Sequence, residues 1–153
     1  MFRRSIQVSV ALASMLAFTI MAKAQGVCSA SGIAGTYVVK CSGYLTPGPN
    51  APMVPATLLG KAVGERNGNW SGNGGTLSIG GTIVTQDVKS VGPAEVKPDC
   101  TGSITYSQAI NGQSAPNIHF NFIVGKNSDV IDGISTDPGS VFACTLTRVS
   151  ERD

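Results

Sequence analysis

The chain has 153 residues, with eleven Lys and Arg, nine Asp and Glu and one His, a length that suits one domain. The first 24 residues hold Arg3, Arg4 and Lys23 and no acid, so the remainder sets eight bases against nine acids. That balance excludes a basic nucleic-acid footprint and a polybasic membrane patch.

In chain order, Arg3 and Arg4 precede an apolar run from Ile6 to Met21, and Ala22-Lys23-Ala24 forms a small-x-small cleavage site before Gln25. This is the layout of a secretory signal peptide. The uncharged run, about 18 residues at most, falls short of the roughly 20 a membrane-spanning helix needs. The expectation is a signal peptide over residues 1–24 and one domain over 25–153. The mature product would be soluble, secreted or periplasmic, and free of the membrane once the leader is removed.

The mature part reads as β-structure. It contains 13 Val, 9 Ile and 11 Thr against 5 Leu, together with all 19 Gly and all 8 Pro. β-Branched residues suit pleated surfaces, and frequent turn formers leave no room for long helices. At most a short helical turn follows Cys28. Residues 36–45 form the first predicted strand, and the proline-rich stretch 47–52 ends it. Residues 56–63 form the next, then 66–79, with Asn67-Gly68 as a turn signal. Gly80-Gly81 turns the chain into residues 82–91; after a break at Gly92-Pro93, residues 94–96 add a few paired positions. Residues 102–110 and 117–124 flank the turn Asn111-Gly112. Residues 129–135 and 140–149 complete the set around Thr136-Asp137-Pro138-Gly139. The clearest alternation puts Ile118, Phe120, Phe122 and Val124 on one side and Asn117, His119 and Asn121 on the other.

Seven or eight strands in sequence order with short connections predict an antiparallel meander. Closing it removes both exposed edges, so the predicted fold is a single all-β, up-and-down antiparallel barrel of seven to eight strands. A two-sheet sandwich is the alternative.

Cys28, Cys41, Cys100 and Cys144 all lie in the mature part. An even count in an exported chain implies two disulfides. Three connectivities are open, and the preferred one joins Cys28 to Cys41 and Cys100 to Cys144. No pair has C-x₂-C spacing and His119 lies near no Cys, so zinc is not expected, and no other metal or cofactor is implied.

Several motifs occur in a particular order: Gly35-Thr36-Tyr37; Gly68-Asn69-Trp70-Ser71-Gly72; Asp99-Cys100-Thr101-Gly102-Ser103-Ile104; Asn117-Ile118-His119-Phe120-Asn121-Phe122; Thr136-Asp137-Pro138-Gly139; and Cys144-Thr145-Leu146-Thr147-Arg148. Their order and spacing, over nearly all of residues 28–149, resemble those of small exported bacterial proteins with an allene oxide cyclase-like barrel. The resemblance implies a calycin-type barrel and export. It implies no particular reaction, since most of that bacterial group is uncharacterised. The plant cyclases' active-site residues have no residue-by-residue counterpart here.

Candidate chemistry is sparse. His119 lies on the polar face of its strand and reads as a surface residue. Asp129 and Asp137 read as loop carboxylates, Asp137 within ordinary Pro-Gly turn chemistry. The Gly pairs lack phosphate-loop spacing, and with one His no Ser triad is evident. Asn69-Trp70-Ser71 matches a glycosylation sequon, but Trp70 reads as a plug for one barrel end. Asp132 shares a face with Val130 and Ile134 and is expected to point inward, where an unpaired carboxylate is expensive. Arg148, on a face with Phe142, Cys144 and Leu146, is its expected partner. Asp132, Arg148 and Tyr37 are therefore the predicted ligand-binding residues.

These readings favour non-catalytic binding of a small apolar ligand or of a partner protein. One alternative is a cyclase- or isomerase-type enzyme acting on an apolar substrate inside the barrel, where cavity shape and a few polar groups can suffice. The other is a structural or interaction protein whose lumen is filled by Tyr37, Tyr44, Trp70, Tyr106, Phe120, Phe122 and Phe142.

Overall fold

The computed structural model describes residues 28–48 and 50–150. The predicted signal peptide lies outside them. Among the described residues the regular elements are nine strands and one short 3₁₀ turn, Lys126–Ser128. The strands are β1 (Gly35–Leu45), β2 (Val54–Gly64), β3 (Trp70–Ile79), β4 (Thr82–Ser90), β5 (Glu95–Val96), β6 (Thr101–Ile110), β7 (Gln113–Val124), β8 (Val130–Ser135) and β9 (Ser140–Ser150). The segment after Cys28 is a turn held by Gly32 N–H to Ser29 O at 3.0 Å, not a helix.

Every strand pairs antiparallel with its sequence neighbour around most of the sheet, and two pairings close the ring: β1 with β9, and β4 with β6. The result is an eight-stranded barrel, which excludes the sandwich. β5 is the extra strand: it pairs with β6 through Glu95↔Ser103 and Val96↔Gly102, while β4 pairs with β6 through positions 106–110. Since β7 occupies the other edge of β6, β5 resumes the edge that β4 leaves at the Gly92-Pro93 break. Between β6 and β7, Asn111 and Gly112 both have left-handed φ, 49° and 77°, which suits a hairpin whose strands twist right-handedly. Asn111 Oδ1 also accepts the Thr85 N–H at 2.9 Å, pinning this turn to β4.

The interior side of each strand follows period-two alternation. On β7 it is the predicted one, with Phe122 and Val124 buried and Ile123 60% exposed. On β8 the prediction had the wrong parity. Ile131 is buried and Ile134 half exposed, so Ile131, Gly133 and Ser135 face inward and Val130, Asp132 and Ile134 face out. Both faces of this strand carry aliphatic residues, and a one-residue error exchanges them. On β3 a bulge at Asn73-Gly74, held by Gly74 N–H donating to Asp87 Oδ1 at 2.6 Å, brings both Gly72 and Gly75 to the inner side.

The two disulfides join Cys28 to Cys100 and Cys41 to Cys144. This corrects the preferred pairing, which followed closeness in sequence. Ring closure makes β1 and β9 neighbours, and their register sets Cys41 directly opposite Cys144. Cys28 precedes β1 and reaches Cys100 at the start of β6.

Two connected core clusters result. One, at the end where β1 starts, gathers Ile33, Tyr37, Trp70, Ile104, Phe122, Val124 and Ile131. The other surrounds the Cys41–Cys144 bridge with Ala56, Leu77 and Phe142. Gly64 sits opposite Trp70 across β2 and β3. A Cβ there would come 2.7 Å from the indole, so the missing side chain makes room for the ring.

Candidate functional site

The end of the barrel where β1 starts is closed by a plug built around Tyr37. This side chain has no exposed surface, and its hydroxyl lies 3.1 Å from Ile33 O and 3.0 Å from Ser128 O. The Trp70 ring lies beside it at 5.3 Å between centroids, as the plugging role predicted for Trp70 requires. From β9, the Arg148 guanidinium sits 5.0 Å over the Tyr37 ring. It donates to Ala34 O at 2.6 Å, Gly32 O at 3.0 Å and Ser128 O at 3.1 and 3.2 Å. One cation thereby satisfies carbonyls from two connecting segments and ties both to the barrel wall.

This placement corrects the predicted site. Arg148 does face the interior side of β9, but its donors are spent on backbone carbonyls, and neither it nor Tyr37 lines the open part of the lumen. Asp132 stands on the opposite side of the wall, exposed, and accepts a hydrogen bond from Thr145 Oγ1 at 2.7 Å. The fold does not bring Asp132 together with Arg148.

Above the plug lies a cavity of about 690 Å³ that runs to the loops at the other end and is partly open there. The aromatic residues do not fill the lumen. Tyr37, Trp70 and Phe122 belong to the plug, and Tyr44 points outward with 53% of its surface exposed. Tyr106, Phe120 and Phe142 form walls of the void. Space remains because β2 and β3 present small residues inward: Ala62 and Gly60 on one, Gly72 and Gly75 on the other. In ring order β2 and β3 lie across from β7 and β8, so these small positions face the side that carries Phe120.

Most of the lining is aliphatic or aromatic, with a short polar track on β4 and β6. Gln108 Nε2 donates to Pro116 O at 2.8 Å. That bond fixes the orientation of the amide, because only its nitrogen can donate to a carbonyl. Gln108 Oε1 is therefore left to accept from Gln86 Nε2, at 2.7 Å. Two residues deeper on β6, Tyr106 packs edge-on against Phe120 with centroids 6.4 Å apart. It lines the cavity, and desolvation pushes its phenol well above the ordinary tyrosine range. Among the described residues nothing hydrogen-bonds its hydroxyl.

At the rim, structure supplies a pair that sequence reasoning kept apart. Asp137, in the turn between β8 and β9, accepts the His119 backbone N–H on Oδ2 at 2.8 Å and meets the imidazole Nδ1 with Oδ1 at 2.6 Å. Ser135 Oγ lies 3.3 Å from Oδ2. Partial burial pushes the Asp137 carboxyl up. The two His119 hydrogen bonds, the attraction of the imidazole's charge and the Ser135 hydroxyl outweigh this and hold it below the usual Asp value. His119 does face outward, its side chain half exposed, while Asp137 borders the cavity.

The polar residues missed by the sequence reading, Gln86 and Gln108, carried a signal. Each interrupts the apolar face of its strand, between Val84 and Val88 and between Tyr106 and Ile110. The His119–Asp137 pair left none, because residues eighteen apart meet only once the β7–β8–β9 register is set. Among the described residues no group of three His, Cys, Asp or Glu side chains is placed to hold a metal ion. No family model, curated protein or solved structure matches the chain.

Proposed function

We propose that this protein is an exported β-barrel that binds a small apolar ligand in its lumen without transforming it. The observation that carries this reading is the cavity of about 690 Å³, well inside the roughly 300–1,000 Å³ range of small-molecule sites. Its lining fits the same purpose, being mostly apolar with a few placed polar groups. Two disulfides accord with an oxidising compartment, and export through the predicted leader is part of the proposal. So is the likeness to the allene oxide cyclase-like barrels, although luminal binding does not depend on it. Native mass spectrometry of protein recovered from the producing cell's periplasm or medium tests the reading. A non-covalent small-molecule adduct is expected; bare protein that also fails to take up an apolar fluorophore would overturn it.

A second reading, catalysis on an apolar substrate, has one observation in its favour. Asp137, which borders the cavity, orients the outward-facing His119 through Nδ1 and leaves Nε2 unengaged among the described residues, an arrangement that serves a general base for a substrate whose reacting group emerges at the rim. Turnover of a bound ligand that His119→Asn abolishes would establish it; a ligand recovered unchanged removes it.

A further inference from the structure

We infer that the luminal ligand is an uncharged apolar molecule bearing a hydroxyl, and that the Tyr106 hydroxyl and the Gln86 amide recognise that group. This rests on the binding reading above and specifies its ligand.

The first observation is the unpartnered polarity of the cavity. A hydroxyl withdrawn from bulk water and left without a hydrogen bond is costly. Tyr106 lines the void, its phenol is desolvated, and no described residue hydrogen-bonds its hydroxyl. The Pro116–Gln108–Gln86 chain has one permitted direction, and it ends on Gln86. That residue retains an oxygen acceptor and one N–H, neither engaged by a described residue. Both ends of the polar track thus offer a donor and an acceptor, and a hydroxyl complements either because it supplies both.

The second observation is charge. Lys61 belongs to the wall, but it is exposed and pairs with Val38 on the outer face of β1 and β2. Arg148 is committed to the plug. The charged side chain bordering the void is the Asp137 carboxylate at the rim. A ligand carboxylate would pass one negative charge on entry and meet no cation inside, so fatty acids are disfavoured while alcohols of equal length are accepted.

The test uses the full mature protein and pyrene, a hydrocarbon with no polar group, as luminal probe, displaced by dodecanol or dodecanoate at neutral pH. Dodecanol should displace pyrene at about a tenfold lower concentration than dodecanoate. Any greasy cavity gives some preference of that sign, so the variants decide. Tyr106→Phe and Gln86→Leu should each weaken dodecanol by about fivefold or more, a site built to pair a hydroxyl being the one that loses affinity when its own group is removed. Pyrene binding should stay within about twofold, and Tyr106→Phe should not lower the melting temperature, since it deletes an unpaired group. Equal or tighter binding of dodecanoate, or dodecanol affinity unchanged in both variants, overturns the inference while leaving luminal binding intact. Failure of pyrene and of both displacers to bind the parent protein would overturn the binding reading and this one together.

Discussion

Arg148 and Tyr37 share the carbonyl of Ser128: the phenol hydroxyl lies 3.0 Å from it and the guanidinium 3.1 Å, with the cation stacked over the ring. The pair belongs to the architecture of the closed end. Arg148→Met should cost about 2–3 kcal/mol in urea unfolding, from orphaned carbonyls and a lost cation–π contact. Arg148→Lys should recover less than half, because an ammonium cannot span the same fork of acceptors. Tyr37→Phe should cost about 1 kcal/mol. Pyrene affinity should be unaffected by all three. Loss of binding at full stability would return Arg148 to the ligand site.

Filling the void should separate stability from binding. Leu58 borders the cavity from β2, beside the inward-facing Gly75, and is half buried. Leu58→Trp directs extra volume into empty space, so its stability should shift by less than about 1.5 kcal/mol, whereas overpacking a dense core costs more. Affinity for pyrene should fall by about tenfold or more. A thermal melt and a fluorescence titration on the same sample check both halves.

The disulfides close loops of 72 and 103 residues, for which chain entropy alone gives about 4–5 kcal/mol each as an upper value. Unfolding with and without reductant should therefore differ by several kcal/mol. Non-reducing peptide mapping should recover Cys28 linked to Cys100 and Cys41 linked to Cys144. A Cys28–Cys41 peptide would contradict the register of β1 and β9.

The rim clamp predicts a pH dependence of known sign. Asp137 is held below the usual Asp value in the folded state, so its stabilisation is fully present above the unfolded value of about 4 and is lost as pH falls through the folded value. Asp137→Asn should lower stability by about 1 kcal/mol at neutral pH. The gap between variant and parent should narrow below about pH 4, as the parent's own carboxyl protonates. Urea midpoints across the acid range decide it, and a gap independent of pH would remove the charged clamp.

Much of the barrel was legible from local signals. Asn111-Gly112 requires left-handed backbone and announced its hairpin, and the run Ile118-His119-Phe120-Asn121-Phe122 displayed its own alternation. Where the alternation was ambiguous the reading failed. Val130 and Ile131 are both aliphatic, and the inward partner of Ile131 on the same face is Gly133, which gives no hydrophobic signal. Asp132 was assigned to the lumen for that reason alone. The bulge at Asn73-Gly74 shifts parity in the same hidden way, placing two glycines where the void needs them.

By itself the sequence determined the elements and their order, because turn chemistry and period-two patterning act between residues close in the chain. It also determined that the cysteines would pair. Only the closed ring decided which cysteines meet, that His119 finds Asp137, that Arg148 becomes a plug and that the lumen stays partly empty. Each of these depends on register between strands far apart in sequence. Register is set by the simultaneous fit of the whole wall, which no single segment records.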